Sequence, residues 1–426
     1  MQASLKLLAH RRFLPLFATQ MLGAFNDNLF KTAMVMLVTY QIFSNDKLEA
    51  SFNAAVNALF ILPFFLFSAL AGQLADCRDK AWIIRVVKSC EIGIMAVGGV
   101  GLLIHSVPLL LAALFAMGVH STFFGPIKYA LLPQHLHSDE VLGGTGLVEA
   151  GTYGGVLLGI IVGGIIPADA AAATVMAVAL IGRIVGQQVP PAPPVIEDHS
   201  VDFHVVRASI RLVAATLHVP RLFLAILAIS CFWMQAAILG ALFVPLVKNV
   251  LEANQHVATL FLSVFSIGVA VGSITINRLL GGTVSARYAP AAALLMGMFL
   301  LDLHHVASHW DAPDVVVGWR AFLALHHARH ILADLFGVAV FGGMFVVPLY
   351  AFLTTTVDKL HTARTMAANN IVNSGAMVLG ALLFAGLIHV GVPVADTLIA
   401  TALGSIAAAA IAWRLHRACG PAFSSA

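Results

Sequence analysis

Charged residues stand inside several long apolar stretches of this sequence, where each charge needs a partner or a polar cavity. Asp27 and Lys31 are four residues apart, so a helix would place the carboxylate and the ammonium group on one face. Lys128 and Glu149 belong to two further apolar stretches. A charge at the centre of a bilayer costs about 2.5–3.5 kcal/mol even on insertion scales. We therefore expect a cavity in which Asp27 and Glu149 bind an amine or a coupling cation and Lys128 binds a phosphate. Mutual neutralisation without further function is the alternative.

Amides accompany these charges. Asn26 precedes Asp27 directly, whereas the apolar stretches of the second half carry Gln235, Asn369 and Asn370 in place of charged residues. A cavity that is charged on one side and lined by amides and apolar groups on the other suits an amphiphile with a zwitterionic headgroup.

The composition requires a membrane around these residues. Of 426 residues, 60% are hydrophobic and 10% are charged, and the mean hydropathy is +0.94. Soluble domains carry about 25% charged residues, and a membrane span needs roughly 20 apolar ones. The sequence predicts an all-α membrane protein with twelve transmembrane helices in two pseudo-symmetric six-helix bundles. The predicted spans are Phe13–Phe43, Phe52–Ala75, Trp82–Ile104, Pro108–Leu132, Leu142–Ile166, Ala170–Val185, Arg221–Val247, Ala258–Leu280, Arg287–Val306, Ile331–Thr356, Ala367–His389 and Asp396–Trp413.

A polar, proline-rich break separates the two sets of six. We expect an N-terminal bundle over residues 1–186, a cytoplasmic linker over 187–219 and a C-terminal bundle over 220–426. With a cytoplasmic N-terminus, sixteen of the 23 Lys and Arg residues fall on the cytoplasmic side and four on the other. This asymmetry predicts that both termini are cytoplasmic.

The linker contains one amphipathic segment. Arg207 and Arg211 lie off a face on which apolar residues recur at spacings of three and four, which predicts a short helix. The apolar residues are Phe203, Val206, Ile210, Val213 and Leu217. Such a helix can lie along the cytoplasmic bilayer surface with its cations at anionic headgroups. A packing strut between the bundles is the equal alternative.

The loop after the second span carries the sharpest motif, GQLADCRDK at residues 72–80. It resembles the loop signature between helices two and three of the major facilitator superfamily. Gly72 permits a close helix approach, Asp76 can accept hydrogen bonds, and Arg78 and Lys80 can stay at the headgroups. We expect a cytoplasmic gate here, and an ordinary basic loop is the alternative.

Histidines cluster between the ninth and tenth spans. His326 and His330 are one helical turn apart and Asp334 follows one turn later, a spacing that can bind a metal ion. We favour an interfacial helix on the outer face and expect neither a metal site nor a cofactor. The sequence contains no phosphate-binding glycine loop, catalytic triad string or CxxC pair, so we expect no enzyme.

Longer strings resemble the lysophospholipid transporter family, in particular the transporter modules of acyltransferase and acyl-carrier-protein synthetase fusions. The strings at residues 13–31 and 124–133 are fairly specific. Together, all the strings extend over nearly the whole chain: FLPLFATQMLGAFNDNLFK at 13–31, GLVEA at 146–150, FGPIKYALLP at 124–133, SCFW at 230–233, FSIGVAVGS at 265–273, GGMFVVPLY at 342–350 and AANNI at 367–371.

The resemblance implies a flippase that moves lysophospholipids, chiefly lysophosphatidylethanolamine, from the outer to the inner leaflet of a bacterial inner membrane. It implies membrane lipid and a cytoplasmic acyltransferase or acyl-ACP synthetase as partners, and Asp27, Lys128 and Glu149 as headgroup residues. Some members carry an arginine in span seven. This chain has none between Arg221 and Lys248, so the phosphate needs Lys128 or Lys31.

Two other functions fit the same residues. One is a proton-coupled exporter or importer of a drug or siderophore-like amphiphile, with Glu149 or Asp27 carrying the proton. The other is a lipid-binding scaffold for a peripheral acyltransferase, which binds lipid without moving it. We expect a monomer with no nucleic-acid partner under each of them.

Overall fold

The computed structural model describes residues 6–38, 42, 46–194, 204–311, 313, 315–357 and 361–419. Long α-helices follow the apolar stretches of this part of the chain. They are α1 (Leu14–Leu37), α2 (Asp46–Cys77), α3 (Lys80–Leu103), α4 (Val107–Ala130), α5 (Val141–Ile165), α6 (Ala168–Gly186), α7 (Pro220–Asn249), α8 (Gln255–Leu280), α9 (Ala289–Ser308), α10 (Ala328–Thr356), α11 (Thr362–His389) and α12 (Thr397–Cys419). Short helices cover Leu7–Ala9, Leu132–His135, Val205–Leu217 and Trp319–Phe322.

Eleven helices in the described residues are long and apolar enough to cross a membrane, and they correspond to α2–α12. The remaining long helix, α1, has 24 residues, about 36 Å at the α-helical rise. Its central Asn26, Asp27, Asn28 and Lys31 lower its mean hydropathy. The protein is therefore a multi-pass membrane protein, and the predicted all-α fold is confirmed. That α1 is the twelfth span stays a prediction.

Local signals in the sequence explain several helix ends. The Asp79 side chain accepts from the Trp82 amide at 2.8 Å and begins α3, and Asn254 accepts from the His256 amide at 3.0 Å beside the start of α8. Gly281 ends α8 in the left-handed conformation, with φ of 58°, which a residue without Cβ adopts easily.

Contacts divide the chain into two compact units. The first comprises Met1–Thr216 and Leu353–Ile371, and the second comprises Leu217–Phe352 and Val372–Ala426. The beginning of α11, including Asn369 and Asn370, thus belongs to the first unit. The expected boundaries at 186 and 219 stay a prediction.

In the first unit, α1 packs along α5 and α6, α2 along α4, and α3 along α4 and α6. Its apolar core includes buried side chains from α1, α2, α3, α4 and α6. They include Leu29, Phe30, Met34, Met95, Leu102, Leu110, Leu114, Met117 and Val175. In the second unit, α12 packs along α7 and α9. The core of this unit includes Leu242, Leu246, Phe261, Leu300, Ile331, Leu335 and Leu398.

Glycines set the closest helix contact of the first unit. A Cβ added to Gly155 would lie 2.6 Å from the Met21 carbonyl oxygen of α1, and one added to Gly159 would clash with the Phe25 carbonyl. Small residues let membrane helices approach through their backbones, where van der Waals packing replaces the hydrophobic effect. The α1–α5 pair therefore depends on the glycine spacing of α5.

The linker helix, Val205–Leu217, confirms that the amphipathic segment is helical. Its buried side includes Ala208, which packs with Ala69 and Ile371. Val206 and Ile210 are 64% and 67% exposed. The helix thus has a packed face, as a strut requires, and an exposed apolar edge, as a surface helix requires. Of the predicted apolar face, Phe203 lies outside the described residues.

Candidate functional site

A buried polar cluster lies in the first unit around Glu91 of α3. The Lys88 ammonium group lies 2.6 Å from one Glu91 oxygen, and the Asn26 amide of α1 donates to the other at 2.9 Å. His120 of α4 places its Nε2 atom 3.4 Å from the same carboxylate. All four side chains are buried. We refer to them as the Glu91 cluster, which joins α1, α3 and α4 through one carboxylate.

Asp27 and Lys31 lie beside this cluster on α1, both partly buried. Ser121 of α4 donates to Asp27 Oδ2 at 2.6 Å. Asp27 Oδ1 is buried and has no hydrogen-bond partner among the described residues. The Lys31 ammonium group lies 5.9 Å from the centre of the Phe60 ring, within cation–π range. Asp27 therefore keeps one acceptor atom available for a polar group.

Lys128 and Glu149 share Tyr129 as a neighbour. The Tyr129 hydroxyl donates to Glu149 Oε1, and the Lys128 ammonium group lies 4.8 Å from the centre of the Tyr129 ring. Glu149 is buried and Lys128 is partly buried. The tyrosine thus links a cation on α4 to a carboxylate on α5.

Asn369 and Asn370 enter the same unit on α11. Asn369 is fully buried, and neither its amide nitrogen nor its oxygen has a hydrogen-bond partner in the described part of the chain. The Asn370 amide nitrogen would lie 3.1 Å from a Cβ added to Gly125, so this side chain reaches the backbone of α4. A buried amide without partners is uncommon in folded proteins and points to a ligand or water as its partner.

Gln235, the remaining candidate, lies in the second unit. It is buried on α7 and accepts from Ser405 Oγ of α12 at 2.7 Å. On the same helix, Ser230 donates to Asn373 of α11 at 2.8 Å. The structure therefore brings Asn26, Asp27, Lys31, Lys128, Glu149, Asn369 and Asn370 into one unit and places Gln235 in the other. Their roles in binding stay predictions.

The residues expected to form a gate lie at the α2–α3 turn. Asp76 is buried and forms an ion pair with Arg364 of α11, with Nε and Oδ2 2.7 Å apart. Lys80 is also buried, although the sequence placed it at the headgroups, whereas Arg78 is exposed. The carboxylate of Asp76 and its cation thus connect α2 to the start of α11.

Gly72 lies one turn before Asp76. A Cβ added to Gly72 would lie 2.7 Å from the Ala367 methyl group and 3.2 Å from the Ala363 carbonyl oxygen, both on α11. Any side chain at this position would push the two helices apart.

Sequence reasoning did not select several residues that the structure places at the site. The candidate residues did not include Lys88, Glu91, His120, Ser121 or Tyr129. The feature of the sequence that could have identified His120 and Ser121 is their position as adjacent polar residues in the middle of an apolar span. Spacing along a single helix could not show that this pair faces Asp27 and Glu91.

His120 also borders an apolar cavity between α3 and α4, of about 750 Å³. Arg78 and Trp82 lie at one end, and the remaining lining is almost entirely apolar. These lining residues include Val86, Ile94, Phe115, Val119 and Phe123. Its volume lies in the range of small-molecule binding sites, which are mostly lined by apolar side chains.

Comparison with known proteins assigns this helical fold. A family model described as Major Facilitator Superfamily matches residues 16–307. The chain belongs to the Major Facilitator Superfamily. Solved members of this fold cover nearly the whole chain. The human organic anion transporter MFSD10 (TETRAN) has a TM-score of 0.74 at 14% identity, covering 96% of this chain and 98% of that one. The transporter FucP in its outward conformation has a TM-score of 0.72 at 12% identity, covering 95% and 98%.

Relatives with similar sequences have a more specific name than the superfamily. The chain is 26% identical over 406 residues to "Lysophospholipid transporter LplT" of Citrobacter koseri, covering 93% of this chain and 92% of that protein. It is 25% identical over 388 residues to the Salmonella typhi protein of the same name, covering 89% of each. The resemblance to the lysophospholipid transporter family, drawn from short strings, is therefore confirmed along nearly the full chain.

Proposed function

We propose that this protein transports lysophospholipids, chiefly lysophosphatidylethanolamine, from the outer to the inner leaflet of a bacterial inner membrane. The observation that carries the proposal is the match along about nine-tenths of the chain to proteins named lysophospholipid transporter. Members of the superfamily transport substrates without chemical conversion, so the protein acts as a flippase by alternating access and not as an enzyme.

The headgroup binds in the first unit. A lysophosphatidylethanolamine headgroup carries an ammonium donor and a phosphate acceptor. Asp27 Oδ1 can accept from the ammonium group, and Lys128 or Lys31 can neutralise the phosphate. The Asn369 amide can donate to phosphate or ester oxygens. The hydrogen bonds that these buried atoms lack are the ones that the headgroup offers.

The Asp76–Arg364 ion pair acts as the cytoplasmic latch in this proposal. Both groups lie at helix ends, where an ion pair can break and re-form as the helices move. Gly72 permits the approach of α2 and α11 that the pair requires. Opening the cytoplasmic side would separate the carboxylate from the guanidinium group.

The protein works as a monomer. Both of its termini lie in the cytoplasm, which is the orientation that the distribution of Lys and Arg indicates. Lysophospholipid delivered to the inner leaflet is the substrate for re-acylation. A cytoplasmic acyltransferase or acyl-ACP synthetase is therefore the functional partner.

Translocation in proteoliposomes tests the proposal. Fluorescent lysophosphatidylethanolamine and lysophosphatidylglycerol are added outside, and protection from dithionite reports transfer to the inner leaflet. The wild-type protein is expected to protect both lipids. Asp27→Asn should slow the ethanolamine lipid about 10- to 100-fold, the value of one charge-assisted hydrogen bond, and should slow the glycerol lipid less. Lys128→Gln should slow both because both contain the phosphate.

Matched controls make the same chemical changes at exposed positions, Asp169→Asn and Lys248→Gln, and should leave both rates unchanged. Binding without protection by the wild-type protein would overturn the transport proposal in favour of a lipid-binding scaffold. Proton flux driven by a soluble amphiphile, with no lipid protection, would replace it with proton-coupled drug transport. Equal loss for both lipids in Asp27→Asn would remove Asp27 from the ammonium site.

A further inference from the structure

Away from the headgroup site, three potential metal ligands meet in the second unit. They are Asp302 of α9 and, one turn apart on α10, His330 and Asp334. His330 Nε2 lies 3.0 Å from Asp302 Oδ2 and 3.7 Å from Asp334 Oδ2. One nitrogen and two carboxylate oxygens all lie within 4.8 Å of one another.

These spacings are those of a ligand set around a single ion. Metal–ligand distances of about 2.0–2.1 Å in a tetrahedral shell place neighbouring ligand atoms about 3.3 Å apart. The two measured separations lie on either side of this value. The third separation, between the two carboxylate oxygens, is at most 4.8 Å, so the side chains would move together on binding one cation.

The hydrogen bond of His330 in this cluster goes to Asp302 and not to Asp334. The Asp334 side chain is buried, and Oδ2 has no hydrogen-bond partner among the residues that the structure describes. A neutral imidazole has at most one N–H group at Nε2, and its distance to Asp302 is the shorter one. A divalent cation, in contrast, would neutralise both carboxylates and use the nitrogen as a ligand.

We propose that Asp302, His330 and Asp334 bind one divalent transition-metal cation of the Zn²⁺ class. One imidazole and two carboxylates are borderline-to-hard ligands that suit Zn²⁺ and its neighbours. Asp302 and His330 are exposed, which leaves positions for water and allows exchange with solvent. The ion would join α9 to α10 within one unit and thereby stabilise it. The sequence pointed to His326 as a third ligand, whereas the third ligand in the structure is Asp302.

Co²⁺ is the probe, because its visible absorption bands report coordination by the protein. Purified full-length protein is stripped with a chelator and titrated with Co²⁺, and then Zn²⁺ is added as a competitor. The wild-type protein should bind one equivalent of Co²⁺ saturably, release it to Zn²⁺ and unfold at a higher temperature when Zn²⁺ is present. His330→Gln and Asp334→Asn should weaken Co²⁺ binding at least about tenfold and abolish the Zn²⁺ shift.

His326→Gln is the control. His326 is an exposed histidine in the same segment that lies outside the ligand set, and its variant should match the wild-type protein. A Co²⁺ titration that is the same in the wild-type protein and in His330→Gln would overturn the proposal. So would a Zn²⁺ shift lost in His326→Gln and kept in His330→Gln. Since His330→Gln changes an exposed side chain, it keeps the test valid if Asp334→Asn fails to fold.

Discussion

Replacing Lys88 by methionine leaves Glu91 as a buried carboxylate whose remaining polar neighbours are Asn26 and His120. Lys88 and Glu91 are each 1% exposed, so water cannot replace the lost ammonium group. Removing one partner of a buried ion pair typically costs about 3–5 kcal/mol, because the other charge stays uncompensated. We expect a loss of this size in the free energy of unfolding of Lys88→Met.

Two further variants distinguish the effect of losing the Lys88 charge from the effect of losing a neighbouring hydrogen bond. Asn26→Ala removes one hydrogen bond to a charged group, worth about 1.5–3 kcal/mol, and should cost less than Lys88→Met. The double variant Lys88→Met with Glu91→Leu removes both charges together. Because replacing a buried pair by apolar groups is often nearly neutral, the double variant should be more stable than either single one.

Unfolding in mixed micelles, followed by circular dichroism against the mole fraction of denaturing detergent, measures these differences. A double-mutant cycle over the four proteins yields the coupling energy between Lys88 and Glu91. The expected coupling is several kcal/mol, opposite in sign to the single losses. Additive losses, or a loss below about 1 kcal/mol in Lys88→Met, would refute an interdependent buried pair.

Three further predictions concern packing, the gate and the membrane surface. Gly159→Ala should destabilise the protein by about 1–3 kcal/mol through overpacking against α1. Gly154→Ala should not, because a Cβ added there has no neighbour within 4 Å. Unfolding in mixed micelles measures the stability of both variants. Asp76→Asn should slow lipid translocation without changing lysophospholipid binding, because it breaks the 2.7 Å ion pair with Arg364. A translocation rate equal to that of the wild-type protein would exclude the latch. Replacing Arg207 and Arg211 by glutamine should flatten the dependence of transport on anionic lipid, as each basic residue near the surface is worth about 1 kcal/mol.

The helices could be predicted from the sequence because a membrane permits few alternatives. Backbone groups in lipid must be hydrogen-bonded internally, so an apolar stretch of sufficient length is a helix. The predicted span Leu142–Ile166 corresponds to Val141–Ile165, and Pro108–Leu132 corresponds to Val107–Ala130. The largest differences between predicted and described ends are six residues. The second helix begins at Asp46 where Phe52 was predicted, and the twelfth ends at Cys419 where Trp413 was predicted. The predicted end of the first span, Phe43, lies outside the described residues. Apolar composition alone does not mark such ends.

The polar contacts between helices could be predicted only in part. The i,i+4 spacing placed Asp27 and Lys31 on one face of α1, but the hydroxyl that donates to Asp27 comes from Ser121 of α4. Asn26 likewise pairs with Glu91 of α3. Periodicity gives the face on which a residue lies, whereas its partner depends on the rotation of the neighbouring helix. That rotation is determined by packing over the whole length of the helices.

Buried atoms without partners support the proposed headgroup site in the first unit. A buried polar atom without a hydrogen bond costs about 1–3 kcal/mol, and packing alone would select against it. Among the buried atoms in this condition in the described part of the first unit are Asn26 Oδ1, Asp27 Oδ1, both amide atoms of Asn369 and both ring nitrogens of His120. In the Glu91 cluster, both oxygens of one carboxylate accept a hydrogen bond from these helices. Under the proposed function, this cost is offset when the ammonium and phosphate groups bind, so occupancy by lysophospholipid should stabilise the wild-type protein more than Asp27→Asn.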